Sequence, residues 1–240
     1  MLTMKSKLLV ISAIILSFAS TLYGQGANPN VVKLNLGGLL FQNLSFQYER
    51  AISNKVSLGL GVSFMPERNL PSMLIGKDEV LAKVLMHDFS ITPELRWYPY
   101  TDDGAPAGFY FAPYARYSRF TATMPFTHVQ SGKTFDLTGQ YSGIGAGLML
   151  GYQWLIADKF SIDWWIVGVH GGSAVAEFSI NSNELNDPSL DKNNLTKSLG
   201  NIDVLLIDTP TITYSGSTAT IKANASYFGF RPGLTIGYAF

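Results

Sequence analysis

The closing segment of the chain alternates without a break. Phe228, Phe230, Pro232, Leu234, Ile236, Tyr238 and Phe240 fall on one face, and Tyr227, Gly229, Arg231, Gly233, Thr235, Gly237 and Ala239 on the other. Successive side chains of a strand point to opposite sides, so one face is wholly apolar and the other small or polar. Ile144, Ala146, Leu148, Leu150, Tyr152 and Trp154 divide in the same way from Gly143, Gly145, Gly147, Met149, Gly151 and Gln153. So do Val56, Leu58, Leu60, Val62 and Phe64 from Ser57, Gly59, Gly61 and Ser63. The second face of a soluble sandwich meets water and carries charge, whereas here it is lined with glycine and serine. Large residues outside and small ones crowded within suit a barrel whose exterior meets lipid and whose narrow interior takes modest side chains.

The pattern predicts eight antiparallel strands, at 31–40, 44–51, 56–65, 84–98, 107–119, 139–154, 160–181 and 218–240, in an all-β, up-and-down transmembrane barrel. Connections at Ser53–Lys55, Tyr100–Pro106 and Leu155–Lys159 are short, and those at 66–83, 120–138 and 182–217 are long. The tight link at Phe41–Asn43 is the exception. Short turns on one rim and long loops on the other are the outer-membrane pattern. Tyr48, Trp97, Tyr98, Phe109, Phe111, Trp154, Phe160, Trp164, Tyr238 and Phe240 all lie near the short-turn rim and predict an aromatic girdle there. Ile202–Tyr214 reads as part of an external loop hairpin, and Gly76–Leu85 as a short helix within a loop.

Composition narrows the class. Charged residues are 14% of the chain, against ~25% in soluble domains. Seventeen basic residues balance seventeen acidic ones, which argues against nucleic acid as a partner. Without cysteine there is no disulfide framework, thiolate zinc site or thiol nucleophile. Lys5 and Lys7, the apolar run Leu8–Ala19 and the small or polar residues Ser20–Gly24 have the layout of a secretory signal peptide. The expected organisation is therefore a signal peptide over 1–24 and a barrel domain over 25–240. No later stretch has ~18 uninterrupted apolar residues, so no transmembrane helix is predicted.

With its signal peptide, eight alternating strands and closing Leu234-Thr-Ile-Gly-Tyr-Ala-Phe240, the chain resembles the small outer-membrane barrels of Gram-negative bacteria, the OmpA-like and OmpX-like group. That resemblance implies a location in the cell outer membrane and contact with its lipids. It also implies that Leu234, Ile236, Tyr238 and Phe240 are the assembly signal read by the barrel-assembly machinery. No peptidoglycan-binding domain is expected after the barrel.

Parity directs Lys33, Glu49, Asp88, Glu94, Arg96, Arg116, Asp163 and Arg231 into the lumen. Charges there must pair, because isolated ones cost several kcal/mol. Two readings follow, a charged constriction for ions or a salt-bridge plug. The interior of an eight-stranded barrel is just wide enough for side chains and favours the plug.

Catalysis finds little support. Lipid A deacylases of this shape place His and Ser two apart on one strand face. His87, His128 and His170 instead precede Ser90, Ser131 and Ser173 by three, which puts each pair on opposite faces. His87 and His170 read as rim residues. Asp187, Asp191, Asn193 and Asn194 lack EF-hand spacing and read as a solvated loop. The glycine runs at Gly59–Gly61 and Gly143–Gly147 sit in strands and are no dinucleotide fingerprint. No catalytic residue, metal or cofactor is expected. The sequence thus predicts a monomeric, porin-like but non-enzymatic barrel with a structural or surface-interaction role through its long loops, whose partner it does not specify. A lipid-modifying enzyme and a narrow channel or lipophilic-ligand carrier are the alternatives.

Overall fold

The computed structural model describes residues 29–40, 42–69, 83–102, 104–127, 134–181 and 211–240. Its elements are β1 (Asn30–Asn35), α1 (Leu36–Leu40), β2 (Leu44–Ser53), β3 (Val56–Asn69), β4 (Leu85–Trp97), β5 (Gly108–Thr127), β6 (Thr134–Ile156), β7 (Phe160–Asn181), β8 (Thr211–Ser215), β9 (Thr218–Phe230) and β10 (Gly233–Ala239). Each strand pairs antiparallel with the next from β1 to β7, and β10 closes the ring by pairing with both β7 and β1. Lys33 lies opposite Gly237 across that seam. β9 and β10 are two lengths of one stave, interrupted at Arg231–Pro232 where proline has no N–H to give. The Arg231 N–H still donates to the Gly168 carbonyl at 2.8 Å. The ring is an eight-stranded antiparallel up-and-down barrel.

Four expectations are corrected or narrowed. The first strand stops at Asn35 rather than running to 40, because Leu36-Gly-Gly-Leu-Leu40 turns into α1. Gly38 sits where a Cβ would lie 2.7 Å from the Asn43 carbonyl oxygen, so the tight return into β2 requires glycine. The segment 120–138 is mostly strand, since β5 continues to Thr127 and β6 resumes at Thr134. β3 likewise continues to Asn69, past the expected boundary at 65. Of Ile202–Tyr214, the described end belongs to β8, which forms a hairpin with β9 outside the ring, turning at Gly216 with φ +56°. The signal segment, most of the 76–85 helix, His128 and the 187–194 loop lie outside the described residues.

The outside of the ring is apolar. Leu58, Leu60, Val62 and Phe64 of β3 are 37–49% exposed, while the intervening Ser57, Gly59, Gly61 and Ser63 are buried. On β6, Ile144 and Leu148 are each 64% exposed. Hydrocarbon is the solvent such a wall suits. Trp97, Trp154, Phe160, Trp164, Tyr238 and Phe240 stand outward near the short-turn rim. Tyr98, counted in the same girdle, is instead fully buried inside the barrel, because neighbouring positions on a strand cannot both face out.

Inside, tyrosine rings sit against glycines. Tyr110 covers Gly151, Tyr114 covers Gly147, and Tyr227 covers Gly143 and Gly145, in each case where a Cβ would come within 3 Å of the ring. The glycine stripe on β6 is therefore the complement of a tyrosine stripe on β5 and β9.

Candidate functional site: the charged floor of the lumen

Strand alternation delivers three cations and three carboxylates to one level of the barrel, near the short-turn rim. Lys33 comes from β1, Glu49 from β2, Glu94 and Arg96 from β4, Asp163 from β7, and Arg231 from the break between β9 and β10. All are at most 8% exposed. The Lys33 Nζ donates to Glu49, to Gln153 Oε1 at 2.6 Å and to Asp163 Oδ2 at 2.8 Å. Arg96 uses its whole fork. Nε donates to Glu94 Oε1 at 2.6 Å, Nη1 to Asp163 Oδ2 at 2.7 Å and to Glu49 Oε2 at 3.1 Å, and Nη2 to Gln47 Oε1 at 3.0 Å. Arg231 Nη1 reaches the other Glu94 oxygen at 2.7 Å. The formal charges cancel within the group.

Neutral partners complete it. Ser57 and Tyr98 both donate to Glu49 Oε1, the latter at 2.6 Å. Tyr110 donates to Asp163 Oδ1 at 2.8 Å and the Trp165 indole to Oδ2 at 3.0 Å. The Arg96 guanidinium sits 4.3 Å over the Tyr110 ring, and that of Arg231 4.1 Å over Trp165. Such stacking adds to the ion pairs. Buried charges survive only when paired and hydrogen-bonded, and here every carboxylate oxygen has at least one donor.

Six of the eight lumenal charges read from the sequence meet in this cluster; Arg116 and Asp88 do not. Arg116 lies farther up and donates to Thr92 Oγ1 at 2.9 Å, while Asp88 accepts from Asn43 at 3.4 Å. Parity applied to charged residues alone passes over Gln47, Ser57, Tyr98, Tyr110, Gln153 and Trp165 as members of the cluster. Parity would have found most of them, since Gln47 shares a face with Glu49 and Gln153 faces away from the exposed Trp154.

His170 is not at the rim. It is 6% exposed inside the barrel, with Nδ1 3.1 Å from the Tyr114 hydroxyl and its ring 4.8 Å from that of Tyr227. A bulge puts it there. Leu150 opposes Val167 and Gly151 opposes Trp165, so Ile166 is an extra residue that reverses the inward parity of β7. Asp163 and Trp165 point in below the bulge, and Gly168 and His170 above it. Ser173 faces outward, away from His170. His87 lies half-buried toward the long-loop end of β4, next to the inward-facing Asp88. Leu234, Ile236, Tyr238 and Phe240, expected from the resemblance to form an assembly signal, are all on the outer face, 42–53% exposed.

Among solved structures, the crystal structure of the N-terminal beta-barrel domain of Pseudomonas aeruginosa OprF matches at 14% identity, over 90% of this chain and 100% of that one, with a TM-score of 0.27. No curated protein matches the chain. One family model, described as "Protein of unknown function (DUF3575)", matches residues 10–182. That span takes in β1 to β7 and stops before the β8–β10 segment that closes the ring. With most of its length inside the match, the chain belongs to the DUF3575 family.

Proposed function

We propose that this chain is a non-enzymatic outer-membrane barrel with a sealed lumen, a monomer that serves as a structural and surface-presenting element through the segments on its long-loop rim. The balanced cluster of Lys33, Arg96 and Arg231 with Glu49, Glu94 and Asp163 carries this reading. A through-channel needs a water path past that level, and the cluster fills it with six mutually bonded charges and the rings stacked on them. The outward apolar wall and the aromatic rim support insertion in a bilayer.

Planar-bilayer recording tests the seal. Purified wild-type protein is expected to give no steady conductance, and robust steady conductance lost on substituting the cluster would replace the plug with a channel. Assembly provides a separate check. Replacing both Tyr238 and Phe240 by Ser removes two exposed aromatic rings from the strand that closes the barrel. The expected result is reduced insertion with accumulation of protein outside the membrane fraction. Normal heat-modifiable barrel in that fraction would remove these residues from any assembly role.

A further inference from the structure

We propose that a depression on the outer wall of the barrel, across β5, β6, β7 and β9, seats the head group of a phosphorylated glycolipid from the surrounding leaflet. The depression measures about 670 Å³. It exists because side chains shrink over two adjoining cross-strand rows. One row is Tyr117, Ile144, Ser173 and Ser226, and the next is Arg119, Ser142, Val175 and Asn224. Nearer the short-turn rim the same face carries the row Pro113, Leu148, Val169 and Phe230, which is apolar throughout. Tyr117 and Ile144 thus form a wall, while Ser142, Ser173, Ser226 and Asn224 bring hydroxyl and amide groups to the level where the apolar wall gives way to the polar row Gln140, Glu177 and Lys222.

Height places these groups where lipid head groups lie. Ser173 is nine residues up β7 from Trp164 of the aromatic rim. At ~3.3 Å per residue and a tilt near 40°, that is roughly 20 Å, close to the far edge of an apolar band ~25 Å tall. Arg119 stands directly opposite Ser142. Its guanidinium donates to Gln140 Oε1, and Gln140 Nε2 donates to Ser142 Oγ at 3.4 Å, so the cation is held beside the depression. No carboxylate among the described residues forms an ion pair with Arg119; the nearby Lys222 is already matched by Glu177 at 3.8 Å. A guanidinium beside a hydroxyl-rich hollow fits a phosphate attached to a sugar. The apolar flank below, with Ile144 and Phe228 each more than 60% exposed, suits the acyl chains of the same molecule.

This inference rests on the outer-membrane placement, which density-gradient fractionation tests on its own. The binding test is native mass spectrometry of the full-length barrel released from detergent micelles containing lipid A, phosphatidylglycerol or phosphatidylethanolamine at equal mole fraction. Lipid A is expected to be retained at least fivefold over either phospholipid. Arg119→Ala removes the cation, and Ser173→Trp fills the hollow from an outward position. Each should lower lipid A retention at least fivefold while heat-modifiable mobility stays that of wild type. Equal retention of phosphatidylglycerol, or wild-type lipid A retention by both variants, would overturn the proposal. Protein found outside the outer membrane would instead overturn the functional reading beneath it.

Discussion

Arg96→Ala is expected to destabilise the lipid-embedded barrel by about 3–5 kcal/mol, the usual cost of removing one partner from a buried ion-pair network. The size of the effect follows from what Arg96 holds. One guanidinium meets Glu49, Glu94 and Asp163 together and accounts for three of the six buried ion pairs among the described residues. Without it, Lys33 is the one cation left to Glu49 and Asp163, and Arg231 the one left to Glu94. The Tyr110 ring also loses the cation 4.3 Å above it. Arg96→Lys keeps the charge but lacks the planar fork, so it should fall between alanine and wild type. The control is Lys222→Ala, whose pair with Glu177 spans 3.8 Å at an exposed position. Exposed pairs contribute ~0–1 kcal/mol, and that variant should unfold near the wild-type midpoint. Denaturant titrations in lipid vesicles, followed by tryptophan fluorescence, measure all three. An Arg96→Ala midpoint no lower than that of Lys222→Ala would mean that the cluster is hydrated and the seal is open.

Much of this cluster is legible in the sequence because period two is unforgiving. Once the apolar face of a strand is assigned outward, every charge on the other face must lie within. Lys33, Glu49, Glu94, Arg96 and Asp163 all obey that rule. What alternation cannot show is where it breaks. Trp164-Trp165-Ile166-Val167 is apolar on both parities, so the extra residue at Ile166 is silent in the pattern, yet it decides that His170 points inward. Leu36-Gly-Gly-Leu-Leu40 carries a hydrophobic pattern that a strand and a helical turn satisfy equally, and the outcome depends on the tight return at Asn43. Tyr98 departs from the girdle for another reason: an aromatic residue near a rim serves the girdle or the core according to parity, and nearness alone does not distinguish them. The partners across the lumen were beyond reach as well. That Lys33 of the first strand touches Gln153 of the sixth follows from barrel closure and stagger, which no local pattern encodes.

The glycine stripe makes the second large prediction. Gly147→Ala is expected to prevent a stable barrel from forming, although it adds only one methyl group. A Cβ there would lie 2.1 Å from the Val169 carbonyl oxygen, 2.7 Å from the His170 Cβ and 2.8 Å from the Tyr114 ring. The ring end could swing aside, but the carbonyl belongs to the neighbouring strand and cannot move without breaking the β6–β7 ladder. Overpacking a tight interior costs ~1–3 kcal/mol when side chains can yield, and a backbone obstruction should exceed that range. Gly171→Ala is the matched comparison, one strand over in the same glycine-rich region. Its Cβ would meet nothing nearer than the Tyr227 carbonyl oxygen at 3.9 Å, an ordinary contact, so the barrel should fold as wild type does. Both variants can be refolded side by side into detergent and scored by heat-modifiable mobility on a gel. If Gly147→Ala stays unfolded while Gly171→Ala folds, closure depends on bare backbone where β6 meets the Val169 carbonyl of β7. Equal folding of the two would show that β6 and β7 have room at this level, and that the bare backbone at Gly147 does not hold the wall together.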